Sequence, residues 1–173
     1  MIRPANAADF PALLALNLAS EHFLSPLDRT RLEWLHDMSS FHQVVESEGA
    51  ITAFLLAIRE GTEYDSLNYR WFAERYPRFL YIDRIVVDAA HRAEGLGAQL
   101  YAALFVTATA DGVEIITCEF DLDPPNEASR RFHESFGFTE VGRQWVGEGK
   151  KEVSLQQAMV RDGVVQRLAT LAC

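Results

Sequence analysis

Apolar residues recur along this chain with a helical period in some stretches and by alternation in others, and the switches divide it into elements. Residues 9–21 read as a helix, with Phe10, Leu13, Leu14 and Leu18 at helical spacing. Asn17 and Glu21 prolong the stripe begun by Phe10 and Leu14. Polar residues in that position either cap a buried network or look into a pocket. Leu24-Ser25-Pro26-Leu27-Asp28 breaks this helix, and residues 29–38 read as a second one. Residues 42–46 and 51–58 form two strands around the turn Ser47-Glu48-Gly49.

Residues 60–77 are polar and aromatic, with Tyr64, Tyr69, Trp71, Phe72 and Tyr76, and read as a long loop with room for a short helix. Residues 79–87 are apolar on both faces, which marks a central strand. A helix over 95–110 carries Leu96, Leu100, Leu104 and Ala108 on one face. A strand over 113–122, a helix over 126–136 and strands over 138–145 and 152–160 follow. A short helix is expected over 161–173. The order implies an α/β fold with one sheet covered on both faces.

The length of 173 residues fits one domain spanning 1–173, and a hydrophobic content of 49% supports a sizeable core. No stretch approaches the ~20 apolar residues of a membrane span. No apolar leader follows Met1-Ile2-Arg3-Pro4, so a cytoplasmic location is expected. Cys118 and Cys173 have no metal-like spacing and are expected to be thiols; no metal site is expected. Lys and Arg total 16 against 25 Asp and Glu, a net charge of −9. That balance argues against nucleic acid as a partner; it can attract a cationic substrate, but plain solubility is the leading reading of it.

The chemistry concentrates after the central strand. Tyr81-Ile82-Asp83-Arg84-Ile85-Val86-Val87 runs into Asp88-Ala89-Ala90-His91-Arg92-Ala93-Glu94-Gly95-Leu96-Gly97-Ala98. Glycines at a helix start let backbone approach a ligand, and the unpaired N–H groups there favour an anion such as a pyrophosphate. Arg92 adds a charge-assisted contact. A Walker loop would continue Gly-Lys-Ser/Thr, whereas Gly97 is followed by Ala98 and Gln99; a Rossmann fingerprint would lie near the first strand. A helix start with two permissive glycines and no ligand also fits the residues alone.

Arg92-x-x-Gly95-x-Gly97 after an apolar strand resembles the acyl-CoA signature of the GNAT superfamily of N-acetyltransferases. Asn126-Glu127-Ala128-Ser129-Arg130-Arg131-Phe132-His133-Glu134-Ser135-Phe136-Gly137-Phe138 resembles its second signature. The resemblance implies a mixed, mostly antiparallel sheet with a splayed strand pair, helices on both faces, and acetyl-CoA as co-substrate. It implies that the backbone of Ile85, Val86 and Val87 lies along the pantetheine arm. The amides of Arg92, Ala93, Glu94, Gly95, Leu96, Gly97 and Ala98 would hold the pyrophosphate. Asn126 and Ser129 would contact the cofactor. His133 stands where the family usually has the tyrosine that protonates the departing thiolate; a histidine there is either a replacement acid or a cofactor contact. A homodimer is the assembly the family suggests.

Deprotonating an amine calls for a carboxylate, and Asp83, Glu119 and Asp121 are the candidates. Asp83 shares a strand face with Tyr81 and Ile85, and Arg84 points to the opposite face. Glu119 lies deeper in its strand than Asp121. A backbone N–H near Val86 suits the oxyanion. Cys118 falls on the face opposite Glu119, so direct transfer in a ternary complex is expected. Asn17, Glu21, Tyr64, Tyr69 and Trp71 are candidates for the acceptor pocket. The leading reading of the acceptor is a small-molecule amine. A protein N-terminus or lysine, and a non-catalytic acyl-CoA-binding module, stay open.

Overall fold

The computed structural model describes residues 1–21 and 24–160. The helix expected over 161–173, together with Cys173, lies outside the described residues. Strand β1 (Ile2–Pro4) leads through a short 3₁₀ turn (Ala7–Asp9) into helix α1 (Phe10–Leu18) and helix α2 (Arg29–Met38). The hairpin β2 (Phe41–Ser47) and β3 (Ala50–Arg59) precedes α3 (Leu67–Ala73). Then come β4 (Leu80–Val87), α4 (Leu96–Ala110), β5 (Ile115–Asp123), α5 (Glu127–Ser135), β6 (Thr139–Val146) and β7 (Lys151–Met159).

The seven strands form one sheet in the order β1-β2-β3-β4-β5-β7-β6. Neighbours are antiparallel except β4 and β5, which run parallel. On one face α4 buries Leu96, Leu100, Leu104 and Ala108 against Leu80, Ile82, Ile116 and Cys118, and Phe136 and Phe138 after α5 close the same core. The opposite face carries α1, α2 and α3, with Phe10, Leu13 and Leu32 in one cluster and Tyr69, Phe72, Phe79 and Tyr81 in another. Burying this apolar surface is the main force holding the layers together. Among the described residues no helix is long and apolar enough to cross a membrane.

Local chemistry explains the helix starts. Asn6 accepts from the Ala8 amide, Asp28 from the Arg31 amide and Asn126 from the Ser129 amide, each supplying an acceptor that the first turn lacks. The expected helix over 9–21 is shorter, and Leu18 is 68% exposed; Leu16 and Asn17 take the inward positions instead. Strand β1 was not expected. Its three residues are too few to show an alternation, and it exists by pairing with Gln43, Val44 and Val45.

Two irregularities in β4 shape everything that follows. First, β4 and β5 pair only at Leu80–Ile116 and Tyr81–Thr117, after which both strands continue without pairing to each other. The strands splay, leaving the β5-facing edge of the following β4 residues without a strand neighbour. Second, Arg84 lies opposite Leu56 while Ile82 lies opposite Ala57, so Asp83 is the extra residue of a bulge. The bulge inverts the alternation. Leu80 and Ile82 face α4, and so do Ile85 and Val87, while Tyr81 and Val86 face the other layer.

Candidate active site

A cleft of about 1190 Å³ opens where β4 and β5 part. Its lining runs from Ser20, Glu21 and the 24–26 loop, past Arg31, Tyr64 and Asn68, along β4 and β5, to Arg92, Gly95, Gly97 and the α5 residues Ser129, Phe132 and His133. Ile85, Val86, Val87, Ala98 and Asn126 also line it.

At one end, Gly95 adopts φ +71 and directly precedes α4. That left-handed conformation turns the chain so that the first amides of α4 emerge unpaired at the cleft. Gly97 is tight for a second reason: a Cβ there would stand 3.3 Å from the Phe132 ring and 3.7 Å from Ile85. A Cβ at Gly95 would meet open space, so the constraint there is the backbone conformation, while at Gly97 the Phe132 ring would have to give by a few tenths of an ångström. Leu96 is buried in the α4 core, and Ala93 and Glu94 belong to the preceding 3₁₀ turn (Ala89–Glu94). This end fits a pyrophosphate: open helix amides, the positive end of the α4 dipole, the exposed Arg92, and an unpaired strand edge leading inward. Asn126 accepts the Ser129 amide through Oδ1, which fixes it at the α5 start.

At the vertex of the splay stands Glu119, half-buried and lining the cleft. The Tyr81 hydroxyl lies 2.9 Å and 2.8 Å from its two carboxylate oxygens. Burial pushes the Glu119 carboxyl up to about 8, against the Tyr81 and Asn68 hydrogen bonds, and the charges of Asp83 and Asp121 push the same way as burial. Such a group exchanges a proton near neutral pH. Asp121 is paired with Lys151 at 3.0 Å.

Asp83 has a different setting. Arg84 Nε donates to it at 2.6 Å, and the Tyr64 hydroxyl donates to its other oxygen. Arg84 also donates from Nη1 to Asn17 at 2.7 Å, and Asn17 donates to the Ser25 carbonyl. The expectation that Arg84 points away from Asp83 is corrected: the bulge at Asp83 brings consecutive side chains to one side. For the same reason Ile85 does not share a face with Asp83. Of the polar pair ending the α1 stripe, Asn17 is fully buried in this network, while Glu21 lines the cleft.

The aromatic loop divides likewise. Tyr64 lines the cleft. Tyr69 does not: its hydroxyl donates to the Arg59 carbonyl at 2.8 Å inside the aromatic core. Trp71 does not either, since it packs on Gly142 with Arg75 stacked above it. Both were expected at the acceptor pocket, and both are held by core packing instead.

His133 is buried. Nε2 lies 2.8 Å from the Tyr101 hydroxyl and Nδ1 lies 2.7 Å from the Ser129 carbonyl. The carbonyl can only accept, so Nδ1 carries the proton and the Tyr101 hydroxyl donates to Nε2. Burial pushes this imidazole down to about 4. It is therefore neutral at pH 7, with both nitrogens engaged. Cys118 faces α4, and burial pushes its thiol well above the usual range, which disfavours an acyl-enzyme on it.

Sequence reasoning missed Tyr81, Asn68, Arg84 and Lys151 as cleft residues. Tyr81 carried one usable signal, a hydroxyl on the strand face expected to bear Asp83.

A seven-stranded open sheet, splayed at its centre, with a glycine turn at one end of the gap and a half-buried carboxyl at its vertex, fits an acyl-CoA-dependent acetyltransferase. Residues 7–138 match the Acetyltransferase (GNAT) family, and the chain belongs to it. The chain is 28% identical over 153 residues to the phosphinothricin N-acetyltransferase of Streptomyces viridochromogenes, covering 82% of this chain and 75% of that protein. Among solved structures, the ribosomal-protein-alanine N-acetyltransferase of Brucella melitensis superposes with a TM-score of 0.69 at 25% identity, over 92% of this chain and 99% of that one. The yncA protein of Salmonella typhimurium, solved with its cofactor acetyl-CoA, superposes with a TM-score of 0.69 at 23% identity, over 94% of each chain.

Proposed function

We propose that this enzyme transfers the acetyl group of acetyl-CoA to the amine of a small molecule by direct attack, with Glu119 as the base. The observation that carries the reading is the position of Glu119: at the splay vertex, inside the cleft, with its proton affinity raised to about 8. The relative named for phosphinothricin supports a small acceptor.

When bound, acetyl-CoA supplies an acetyl thioester whose carbonyl carbon accepts the amine. The α4 amides and Arg92 hold the pyrophosphate, and the free edge of β4 at Ile85, Val86 and Val87 aligns the pantetheine arm. An alkylammonium, with a pKa near ~10, must lose a proton before it attacks, and Glu119 takes it. A β4 backbone N–H near Val86 stabilises the developing oxyanion. The departing thiolate, of pKa near ~8.5, needs little help, which suits a neutral His133 that shapes the wall rather than donating a proton.

The test is an amine panel that includes phosphinothricin, incubated with acetyl-CoA while free thiol is followed. Turnover with at least one small amine is expected. Acetylation of peptide N-termini or lysines with no small amine accepted would overturn the acceptor class. No turnover with either, despite acetyl-CoA binding, would point to the non-catalytic module.

A further inference from the structure

We infer that Tyr81 is a positioning residue for Glu119, holding its carboxyl in one orientation through both of its protonation states. The inference rests on the reading of Glu119 as the base.

Tyr81 pairs with Thr117, and this is the last residue pair before β4 and β5 part. Thr117 and Glu119 share a face of β5, so Glu119 lies one step beyond the last pair, at the mouth of the gap. A side chain at position 81 is thus the nearest anchor that β4 offers to that carboxyl. It has to cross a gap that backbone no longer bridges, and a phenol is long enough to do so.

The ring itself is fixed. Tyr81 is 1% exposed, and it meets Tyr69 edge-on at 5.7 Å and lies 6.1 Å from both Tyr64 and Phe72. Its hydroxyl sits almost evenly between the two Glu119 oxygens, at 2.8 and 2.9 Å. A hydroxyl both donates and accepts. To the ionised carboxylate the Tyr81 O–H donates. When Glu119 is protonated, its own O–H can donate to the Tyr81 oxygen. The carboxyl therefore keeps a partner before and after it takes a proton. Tyr81 does not itself titrate in the working range, since burial and the neighbouring Glu119 raise its phenol well above 10.

The titratable groups whose charge is felt at this carboxyl are Asp83 of β4, Asp121 and Cys118 of β5, Tyr101 of α4 and Tyr64 ahead of α3, and Glu21, Arg31, Arg84, Arg92, His133 and Lys151 line the same cleft. Asp83 with Arg84, Asp121 with Lys151, and Arg31 with Asp65 form ion pairs among themselves. Tyr64 donates to Asp83, and His133 is engaged by Tyr101 and Ser129. Tyr81 is thus the group that binds both carboxyl oxygens directly.

The experiment is a carboxyl ¹³C titration of the full chain labelled at glutamate, with the Glu119 signal identified by its loss in Glu119→Gln. A midpoint near 8 is expected for the unaltered protein. Tyr81→Phe keeps the ring and removes the hydroxyl, so the midpoint should rise by roughly one unit, as the ionised form loses its charge-assisted bond. The acidic limb of the rate profile against pH should move the same way. Incorporating 3,5-difluorotyrosine at position 81 keeps ring and hydroxyl but strengthens the donor, and should lower the midpoint. It decides the matter if Tyr81→Phe does not fold. A Glu119 midpoint unmoved by either change would overturn the inference. Undiminished turnover in Glu119→Gln would instead overturn the base, and with it the catalytic meaning of Tyr81, whatever the titration shows of the contact itself.

Discussion

Asp83 and Arg84, neighbours in β4, lie on the same side of the sheet and pair with each other at 2.6 Å, their side chains 4% and 6% exposed. Consecutive strand residues ordinarily point to opposite faces. Here the bulge spends one residue on turning the strand, and a central sheet position accommodates two opposite charges.

Removing one of two buried partners strands the other. Asp83→Asn is therefore expected to destabilise the protein by about 3–5 kcal/mol, because the Arg84 guanidinium keeps its charge without a counterion. Urea unfolding measures this. The double change Asp83→Asn with Arg84→Gln should recover part of the loss. A single-variant cost below about 1 kcal/mol, the size of an exposed pair, would contradict the buried ion pair.

Gly95 offers a test of the anion cradle. Its φ of +71 suits glycine, and Asp tolerates that region better than most residues. Gly95→Asp should then fold with a modest cost of about 1 kcal/mol while placing a negative charge beside the α4 amides. Acetyl-CoA affinity measured by calorimetry is expected to fall at least ~10-fold, about 1.4 kcal/mol. Unchanged affinity in the folded variant would remove the pyrophosphate from this turn.

The buried titratable groups set a pH profile for stability. His42 and His133 are both held down to about 4, chiefly by burial, from an ordinary value of 6.5. Between those values the unfolded chain binds protons that the folded protein refuses, so stability falls as pH drops from 6.5 towards 4. Glu119 works in reverse. Its carboxyl is raised from 4.5 to about 8, so the folded state holds a proton that the unfolded state releases, and its contribution is lost as pH rises through that range. One proton of difference is worth about 1.4 kcal/mol per pH unit. Two histidines outweigh one carboxyl below 6.5, and the carboxyl acts alone above it. Stability from denaturant melts should therefore peak near ~6.5, and Glu119→Gln should flatten the decline between there and pH 8.

His133 separates a wall from an acid. His133→Phe leaves the Tyr101 hydroxyl buried without its partner, at a cost of about 1–3 kcal/mol. Turnover with an accepted amine should be nearly unchanged when chemistry limits the rate. A loss of ~100-fold or more, with acetyl-CoA binding intact, would show that His133 delivers a proton after all.

Much of this fold was legible because its signals are local. Residues 29–38 read as a helix, and α2 occupies the same residues, since Asp28 caps it and its apolar spacing is regular. The α4 stripe Leu96, Leu100, Leu104 and Ala108 is buried as its spacing implied. The glycine turn was legible because backbone freedom and helix amides belong to the turn itself. What was not legible depends on partners distant in sequence. The bulge at Asp83 is defined only against β3, so alternation placed Arg84 and Ile85 on the wrong faces. Tyr69 and Trp71 looked like pocket residues because an aromatic loop has the same composition whether it lines a cleft or packs a core. The Tyr81–Glu119 contact joins residues 38 apart and exists only because β4 and β5 meet at Tyr81 and then separate.

That separation has a mechanical meaning. The sheet consists of two panels, β1 to β4 and β5 to β7, stitched together by a seam of two residue pairs. Apart from the short β1, the ladders within each panel are long, and between the panels the backbone contributes only those two pairs. The helices bridging the layers therefore carry most of the load that a sheet usually carries for itself. A ligand lying along the open edge of β4 would act as a splint across that seam.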